Sequence, residues 1–395
     1  MDGGDRQCRN IQGAFIARSF DVAKPDRQYG NMEFNVQTQV EADSGGGRNT
    51  RSPQPRSPRP TMAMVAKRVG VSTQTVSFAL STPDRLSPAT LRKVLKAVDE
   101  LGYRPNHAAR SLRTRTPQAV GFRVFPAHRD VGGILSSYLY ELSVAANAAG
   151  YGVFCHAAVN YQEEIRIIEE TFRRNTVDCF VTTCTTSDDL PIPLFLLDRH
   201  IPFVVFGRPW GLPMSECWWV DVDGAAGLEQ AVNHLVDIGH QRIAYLGWEK
   251  SIGLAEDRES GWQRAMNSHG LATSGMNMRG PDDVETGRRL AGALLDRKTP
   301  PTAFTCASDT LAIGALRACQ ERGLEPGRDI GIVGFDDSIG ARAVTPALTS
   351  VAQPLETAAK HTLRLLLDLL SGSDSKPEQI LLRPSLVIRE STVPR

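Results

Sequence analysis

Thr73, Gln74, Ser77 and Phe78 are the first residues in this chain whose types and spacing suggest chemistry. They offer two hydroxyls, a carboxamide that both donates and accepts, and an aromatic ring. In a helix, residues 73, 74, 77 and 78 fall on one side, so the four would form one outward surface. The elements that must hold them are written on either side. Ser72 is placed to cap the amino end of that helix, and Val76 and Leu80 would turn inward. Before it, Thr61 can cap a helix from about Met62 to Val69, which Gly70 stops. After it, Ser87-Pro88 starts a third helix, because proline at the first helical position gives up a donor that had no partner there. Leu91, Val94, Leu95, Val98 and Leu101 supply its apolar stripe, and Gly102 ends it. This is a helix-turn-helix pattern, and its compact layout reads as a DNA-binding head.

Charge supports that reading independently. The chain as a whole carries a formal net charge of +1, yet residues 61–116 contain ten basic and three acidic side chains. That segment is therefore +7, the first 60 residues are +2, and the remainder from residue 117 is −8. Positive charge gathered in one small segment is the electrostatic footprint of phosphate contact.

The segment also resembles the lac repressor (LacI/GalR) family of transcription regulators. AKRVGVSTQTVSFAL is similar to the family pattern A-x-x-A-G-V-S-x-x-T-V-S, and ELGYRPNHAARSLRT is similar to its Gly-Tyr-x-Pro-Asn-x-x-Ala-x-x-Leu hinge. The resemblance implies that Thr73 and Gln74 reach base edges in the major groove, with Gln74 able to pair bidentately with adenine. It implies that Ser72, Thr75, Ser77 and Asn106 hold phosphates. It places Ala109 and Leu112 of a hinge helix in the minor groove, Leu112 as the apolar wedge that bends the duplex, with Arg113 in or beside that groove. Two positions depart from the pattern. Phe78 stands where the family often carries arginine or another polar base reader, so a thymine-methyl contact is the expectation there. Met64 stands where an early aspartate is usual.

From Pro117 onward, β-rich runs alternate with helical stretches: AVGFRVF, YGVFCHA, VDCFVTTC, FVVFG, WWVDVD, RIAYLG, AFTCAS and DIGIVGFD are the runs. Strict alternation argues for parallel sheets covered on both faces, with enough strands for two lobes, and a ligand would sit at strand carboxyl ends in the cleft between them. Arg208 ends the FVVFG strand and is expected to point into that cleft, with Trp210 able to stack on a sugar face. Ser308 and Asp309 end another strand, and Ser308 is a candidate ligand contact there. The helix-capping role is assigned to Asp223 and Asp309. HLVDIGHQRIAYLG, DRESGW, TAFTCASDTLAIGALRAC, DIGIVGFDD with PALTSVAQP, and LRPSLVIREST extend the resemblance to about residue 395. It implies the fold of sugar-binding periplasmic proteins behind a DNA-binding head. It also implies that Arg258 grips an effector hydroxyl or carboxylate and that Asp336 accepts from paired hydroxyls. Asparagine is frequent at the position of Ser308 in sugar-responsive members.

The expected organisation follows. Residues 1–60, rich in Gly, Ser, Pro and Arg, are a flexible extension or the product of an upstream start codon. Residues 61–105 are the helix-turn-helix domain and 106–116 the hinge. Residues 117–395 form the effector-binding and dimerisation part, with lobe one at about 117–222 plus 354–381 and lobe two at about 223–353 plus 382–395. A chain of 395 residues with 41% hydrophobic residues can bury cores of that size. It contains no long apolar run and its amino terminus is not a secretory signal, while its seven cysteines are scattered and suggest no disulfide framework. A cytoplasmic protein is expected. The sequence lacks His-Glu-x-x-His, Gly-x-Ser-x-Gly, a phosphate loop and paired-cysteine metal spacing, so no enzyme activity, metal or cofactor is expected. The reading is a homodimeric, sequence-specific regulator, a repressor of palindromic operator DNA controlled by a sugar or sugar derivative. A sugar-binding protein without DNA contact and a sugar-processing enzyme are the alternatives.

Overall fold

The computed structural model describes residues 60–103, 117–126, 133–184, 189–212, 214–249, 253–372 and 376–393. The hinge positions Asn106, Ala109, Leu112 and Arg113 lie outside the described residues, as does the amino-terminal extension.

Three helices form the head: α1 (Met62–Val69), α2 (Thr73–Ser81) and α3 (Pro88–Leu101), with a 3-10 turn at Pro83–Arg85. Each start has a chemical cause. The side chains of Thr61, Ser72 and Ser87 accept from the backbone nitrogens of Met64, Thr75 and Thr90, so each satisfies a donor that the first helical turn would leave orphaned. Gly70 ends α1 at φ 76°, a left-handed conformation that a side chain would strain. Val65, Ala66, Val76, Ala79, Val94, Ala97, Val98 and Tyr103 make the miniature core. Two positions differ from the sequence expectation. Leu95 is 41% exposed and Ala97 is buried, while Ala79 is buried more deeply than Leu80.

Two six-stranded sheets follow. The first has the order β11-β5-β4-β3-β1-β2 and is parallel throughout, built from β1 (Ala119–Arg123), β2 (Gly152–His156), β3 (Cys179–Thr183), β4 (Phe203–Phe206), β5 (Trp219–Val222) and β11 (Gln379–Leu382). The second has the order β12-β10-β9-β8-β6-β7, from β6 (Ile243–Trp248), β7 (Asn277–Gly280), β8 (Ala303–Cys306), β9 (Gly331–Phe335), β10 (Thr349–Ala352) and β12 (Ser385–Val387). Only β12 runs antiparallel there, against β10. Buried runs such as Val204-Val205 and Ile332-Val333 read as continuous apolar strands because helices cover both faces.

The covering helices are α4 (Ile134–Ala148), α5 (Tyr161–Arg173), α6 (Pro191–Asp198) and α12 (Leu355–Leu370) for the first sheet, and α7 (Gly224–Asp237), α8 (Leu254–Ser268), α9 (Val284–Leu295), α10 (Asp309–Gln320) and α11 (Ile339–Ala343) for the second. The backbone passes between the sheets three times, after β5, after β10 and after β11. Helices α6, α11 and α12 and strands β7, β10, β11 and β12 lie outside the alternation read from the sequence. In β7 the run Asn-Met-Arg-Gly has no apolar pattern because it is an edge strand, half solvated.

Candidate DNA-binding face and ligand cavity

In the head, the Ser72 hydroxyl caps α2 by accepting from the Thr75 nitrogen at 3.0 Å and also meets the Thr75 hydroxyl at 2.9 Å. Thr73 and Gln74 are exposed on the first turn of α2, with Thr75, Ser77 and Phe78 half-buried beside them. Free backbone N–H groups and the helix dipole give that first turn an affinity for phosphate. The guanidinium of Arg85 lies over the Phe78 ring, 5.7 Å from its centroid. Lys67, Arg68, Arg85, Arg92, Lys93 and Lys96 are all exposed, and Arg68 and Lys96 share Glu100 at 3.5 and 3.8 Å. Exposed pairs of this kind are weak and leave the charge available to an anionic partner.

A cavity of about 780 Å³ is lined from both lobes, by Ile134, Ser137 and Glu141 of α4 and by Asp336, Arg342 and Gln353 of the other lobe and its connection. A volume of that order suits a small organic ligand. Asp336 is the carboxylate on its wall. It follows β9 at φ 108°, and Asp337 follows at φ 50°, both conformations that cost energy for a residue with a side chain. Asp309 holds this turn: its carboxylate accepts from the Ser338 nitrogen at 2.7 Å and the Ser350 hydroxyl at 2.6 Å, and Ser350 in turn accepts from the Asp337 nitrogen at 3.0 Å. Asp337 is then gripped by Arg342 at 2.6 Å and Arg389 at 2.5 Å.

The electrostatics of Asp336 are set by its surroundings. Gln353 donates to its carboxylate at 2.6 Å and the Arg258 guanidinium lies 3.7 Å away. Burial nevertheless dominates and pushes its pKa up to about 7, the attraction of Arg258 offsetting part of this and the charge of Asp309 adding to it. Burial likewise lifts Asp309 to about 6. Near neutral pH Asp336 can therefore accept a hydrogen bond from a hydroxyl as the carboxylate or donate one as the acid. Arg258 is 6% exposed, layered between Phe335 at 3.7 Å and Trp248 at 4.7 Å from the ring centroids, and it donates to the Ala307 carbonyl.

The other singled-out residues have different surroundings. Ser308 is 1% exposed, and its hydroxyl accepts from the Leu311 nitrogen at 3.2 Å while meeting Asp282 at 2.5 Å. It is Ser308, not Asp309, that caps α10, a correction to the sequence reading. The extended backbone at Ser308, φ −149° and ψ 161°, leaves Asp309 as the first helical residue, free to brace the neighbouring turn. Asp223 does cap α7, accepting from the Ala226 nitrogen at 2.9 Å. The Arg208 guanidinium is held by Asp221 at 2.6 Å and by Asp257 of α8 at 2.7 Å, lying over Trp210 at 4.4 Å. Gly253 is pressed against Trp210 so closely that a Cβ there would overlap the indole. Arg208 and Trp210 thus tie the end of β4 to the start of α8, and two buried carboxylates outcompete solvent for the guanidinium. Gln353 and Asp282 carry no signal in the sequence because single polar residues after strands have no period, and Trp248 reads only as the end of an apolar strand. Among the described residues no group of three or more His, Cys, Asp or Glu is arranged to hold a metal.

Residues 61–106 match the profile of bacterial regulatory proteins of the lacI family, and residues 232–392 match a periplasmic binding protein-like domain. The HTH-type transcriptional regulator CelR of Thermobifida fusca is 32% identical over 336 residues, spanning 84% of this chain and 98% of its own length. This chain belongs to the lacI family of bacterial regulatory proteins. Like other members of that family it is a DNA-binding transcription regulator, with a helix-turn-helix head and a periplasmic-binding-protein-like body. The HTH-type transcriptional repressor PurR of Mannheimia succiniciproducens is 28% identical over 332 residues, again spanning 84% of this chain and 98% of its own. Among solved structures, a complex of the transcriptional regulator CelR with cellobiose superimposes with a TM-score of 0.64 at 30% identity, covering 84% of this chain and 100% of the other. A lac repressor dimer bound to operator and an anti-inducer gives 0.68 at 25% identity, covering 85% and 100%.

Proposed function

We propose that this regulator is a cytoplasmic, homodimeric repressor whose hold on a palindromic operator is set by a hydroxyl-rich ligand, a sugar or sugar derivative, in the cavity beside Asp336. The carrying observation is that one carboxylate, poised near neutrality and braced by Gln353 and Arg258, stands on the wall of a cavity that both lobes line. A sugar offers what that wall can use: vicinal hydroxyls for the carboxylate and an apolar ring face. The cellobiose complex of a relative supports the ligand class, and the operator-bound lac repressor dimer supports the assembly.

In this reading residues 61–105 are the reading head, 106–116 the hinge, and 117–395 the ligand-responsive body in two lobes. Thr73 and Gln74 meet base edges, Phe78 meets a thymine methyl, and Ser72, Thr75, Ser77 and Asn106 meet phosphates. Ala109, Leu112 and Arg113 enter the minor groove. Arg258, Asp336, Ser308, Arg208 and Trp210 form the ligand-responsive set: Asp336 stands on the cavity wall with Arg258 behind it, Ser308 meets Asp282, and Arg208 with Trp210 joins the end of β4 to the start of α8. The ligand is bound and released unchanged, with no metal or cofactor.

The test is fluorescence anisotropy of the intergenic duplex upstream of the gene, titrated with the full chain, with and without cellobiose and other sugars. A sugar that shifts duplex affinity, and whose own affinity is shifted by the duplex by the same factor, supports the scheme. Ligand binding without reciprocity would overturn it.

A further inference from the structure

We propose that Arg85, held over the ring of Phe78, is a base-reading residue of the head and selects a guanine. The inference rests on the DNA-binding reading above and names a contact within it. Phe78 occupies the outward face of α2 one turn beyond Gln74, so whatever lies on its ring lies on the surface that would enter the groove. What lies there is the Arg85 guanidinium, 5.7 Å from the ring centroid.

The backbone fixes this placement. The Thr82 nitrogen donates to the Phe78 carbonyl at 2.8 Å, the Arg85 nitrogen to the Thr82 carbonyl at 3.1 Å, and Pro83 locks the intervening turn. Arg85 therefore springs from a short rigid connection to the very residue whose ring it covers. Its side chain is exposed, and among the described residues no carboxylate pairs with it. A guanidinium within about 6 Å of a ring centroid is attracted to the ring face, and here it keeps its donors free for a partner. That edge fits the paired acceptors of guanine in the major groove, which no other base presents in the same arrangement. Phe78 thus acts as a platform. Its ring face carries the arginine, which leaves the ring edge for a methyl group.

The experiment uses the full chain and a pool of duplexes randomised over about 20 base pairs, enough for two half-sites. Bound sequences are enriched for the wild type, for Arg85→Ala and for Phe78→Ala. The wild type is expected to enrich a two-fold symmetric site with one guanine per half-site that Arg85→Ala no longer selects, a loss of roughly tenfold preference at that position alone. Phe78→Ala is expected to weaken the same preference. Replacing that guanine with 7-deazaguanine should then weaken wild-type binding and leave Arg85→Ala unmoved. If Arg85→Ala enriches the same site with the same margin, or weakens all sequences uniformly as loss of a phosphate contact would, the proposal is overturned while the DNA-binding reading stands. A wild type that enriches no sequence overturns both.

Discussion

Asp336 and Arg258 face each other at 3.7 Å, but they differ in exposure to a ligand: Asp336 lines the cavity, whereas Arg258 is sealed behind it between Phe335 and Trp248. The arginine offsets part of the rise that burial gives the carboxylate's pKa, and on the proposed reading the carboxylate is the group that meets a ligand first. This division of labour makes their substitutions distinguishable.

Asp336→Asn keeps the shape and the ability to meet Gln353 but removes the charge. Sugar affinity, measured by titration calorimetry, is expected to fall about tenfold or more, since a charged acceptor contributes about twice a neutral one. Operator affinity without sugar should stay within a factor of two or so. A variant with full sugar affinity would remove Asp336 from the ligand site.

The raised pKa of the same residue makes stability depend on pH with a definite sign. A carboxyl whose folded pKa is about 7, against about 3.9 unfolded, binds its proton more tightly in the folded state. Its contribution is complete below about pH 4 and is lost as pH rises through about 7, at up to about 1.4 kcal/mol per pH unit between. Asp309, at about 6, adds in the same direction. Melting curves of the wild type and Asp336→Asn from pH 5 to 8 should therefore show the variant gaining on the wild type as pH rises. Parallel pH profiles would contradict the assignment.

Arg208→Met would strand two buried carboxylates, Asp221 and Asp257, neither more than 10% exposed. Burial already pushes the Asp221 carboxyl up against the pull of Arg208. The substitution is expected to cost about 3–5 kcal/mol, and adding Asp221→Asn and Asp257→Asn should recover much of it. Thermal denaturation of the single and triple variants decides the point, and equal stabilities would show the pairs to be energetically idle.

Gln74→Ala is expected to cost roughly 1–3 kcal/mol of discrimination at one base position with little change in nonspecific binding. Exchanging thymine for uracil opposite Phe78 should weaken binding by a smaller amount. Competition gel shifts against unrelated duplex separate specific from nonspecific loss.

How much of this was legible in the sequence depends on the range of the interactions. The caps at Thr61, Ser72 and Ser87 and the stops at Gly70 and Gly102 are local, and the helices they bound could be read residue by residue. Ser308 and Asp309 are both able to cap, and only the backbone angle at the first decides between them. The surroundings of Arg208 were beyond reach, because Asp257 is distant in sequence and an arginine at a strand end looks the same whether it meets a ligand or a carboxylate. Leu95 kept its place in the helical period and still faces solvent, since period alone does not say how wide the neighbouring helices are.

The three passages of the backbone between the sheets bear on how the molecule is made. The edge strand β11 and the covering helix α12 of the first lobe, and β12 of the second, all come from the last part of the chain. During synthesis neither lobe can complete its sheet until residues near 382 and 387 have left the ribosome, and apolar strand edges stay open until then. The head draws its core from residues 65–103 alone and is free of that delay. A nascent chain would therefore carry a finished DNA-reading module well before the part that could regulate it exists.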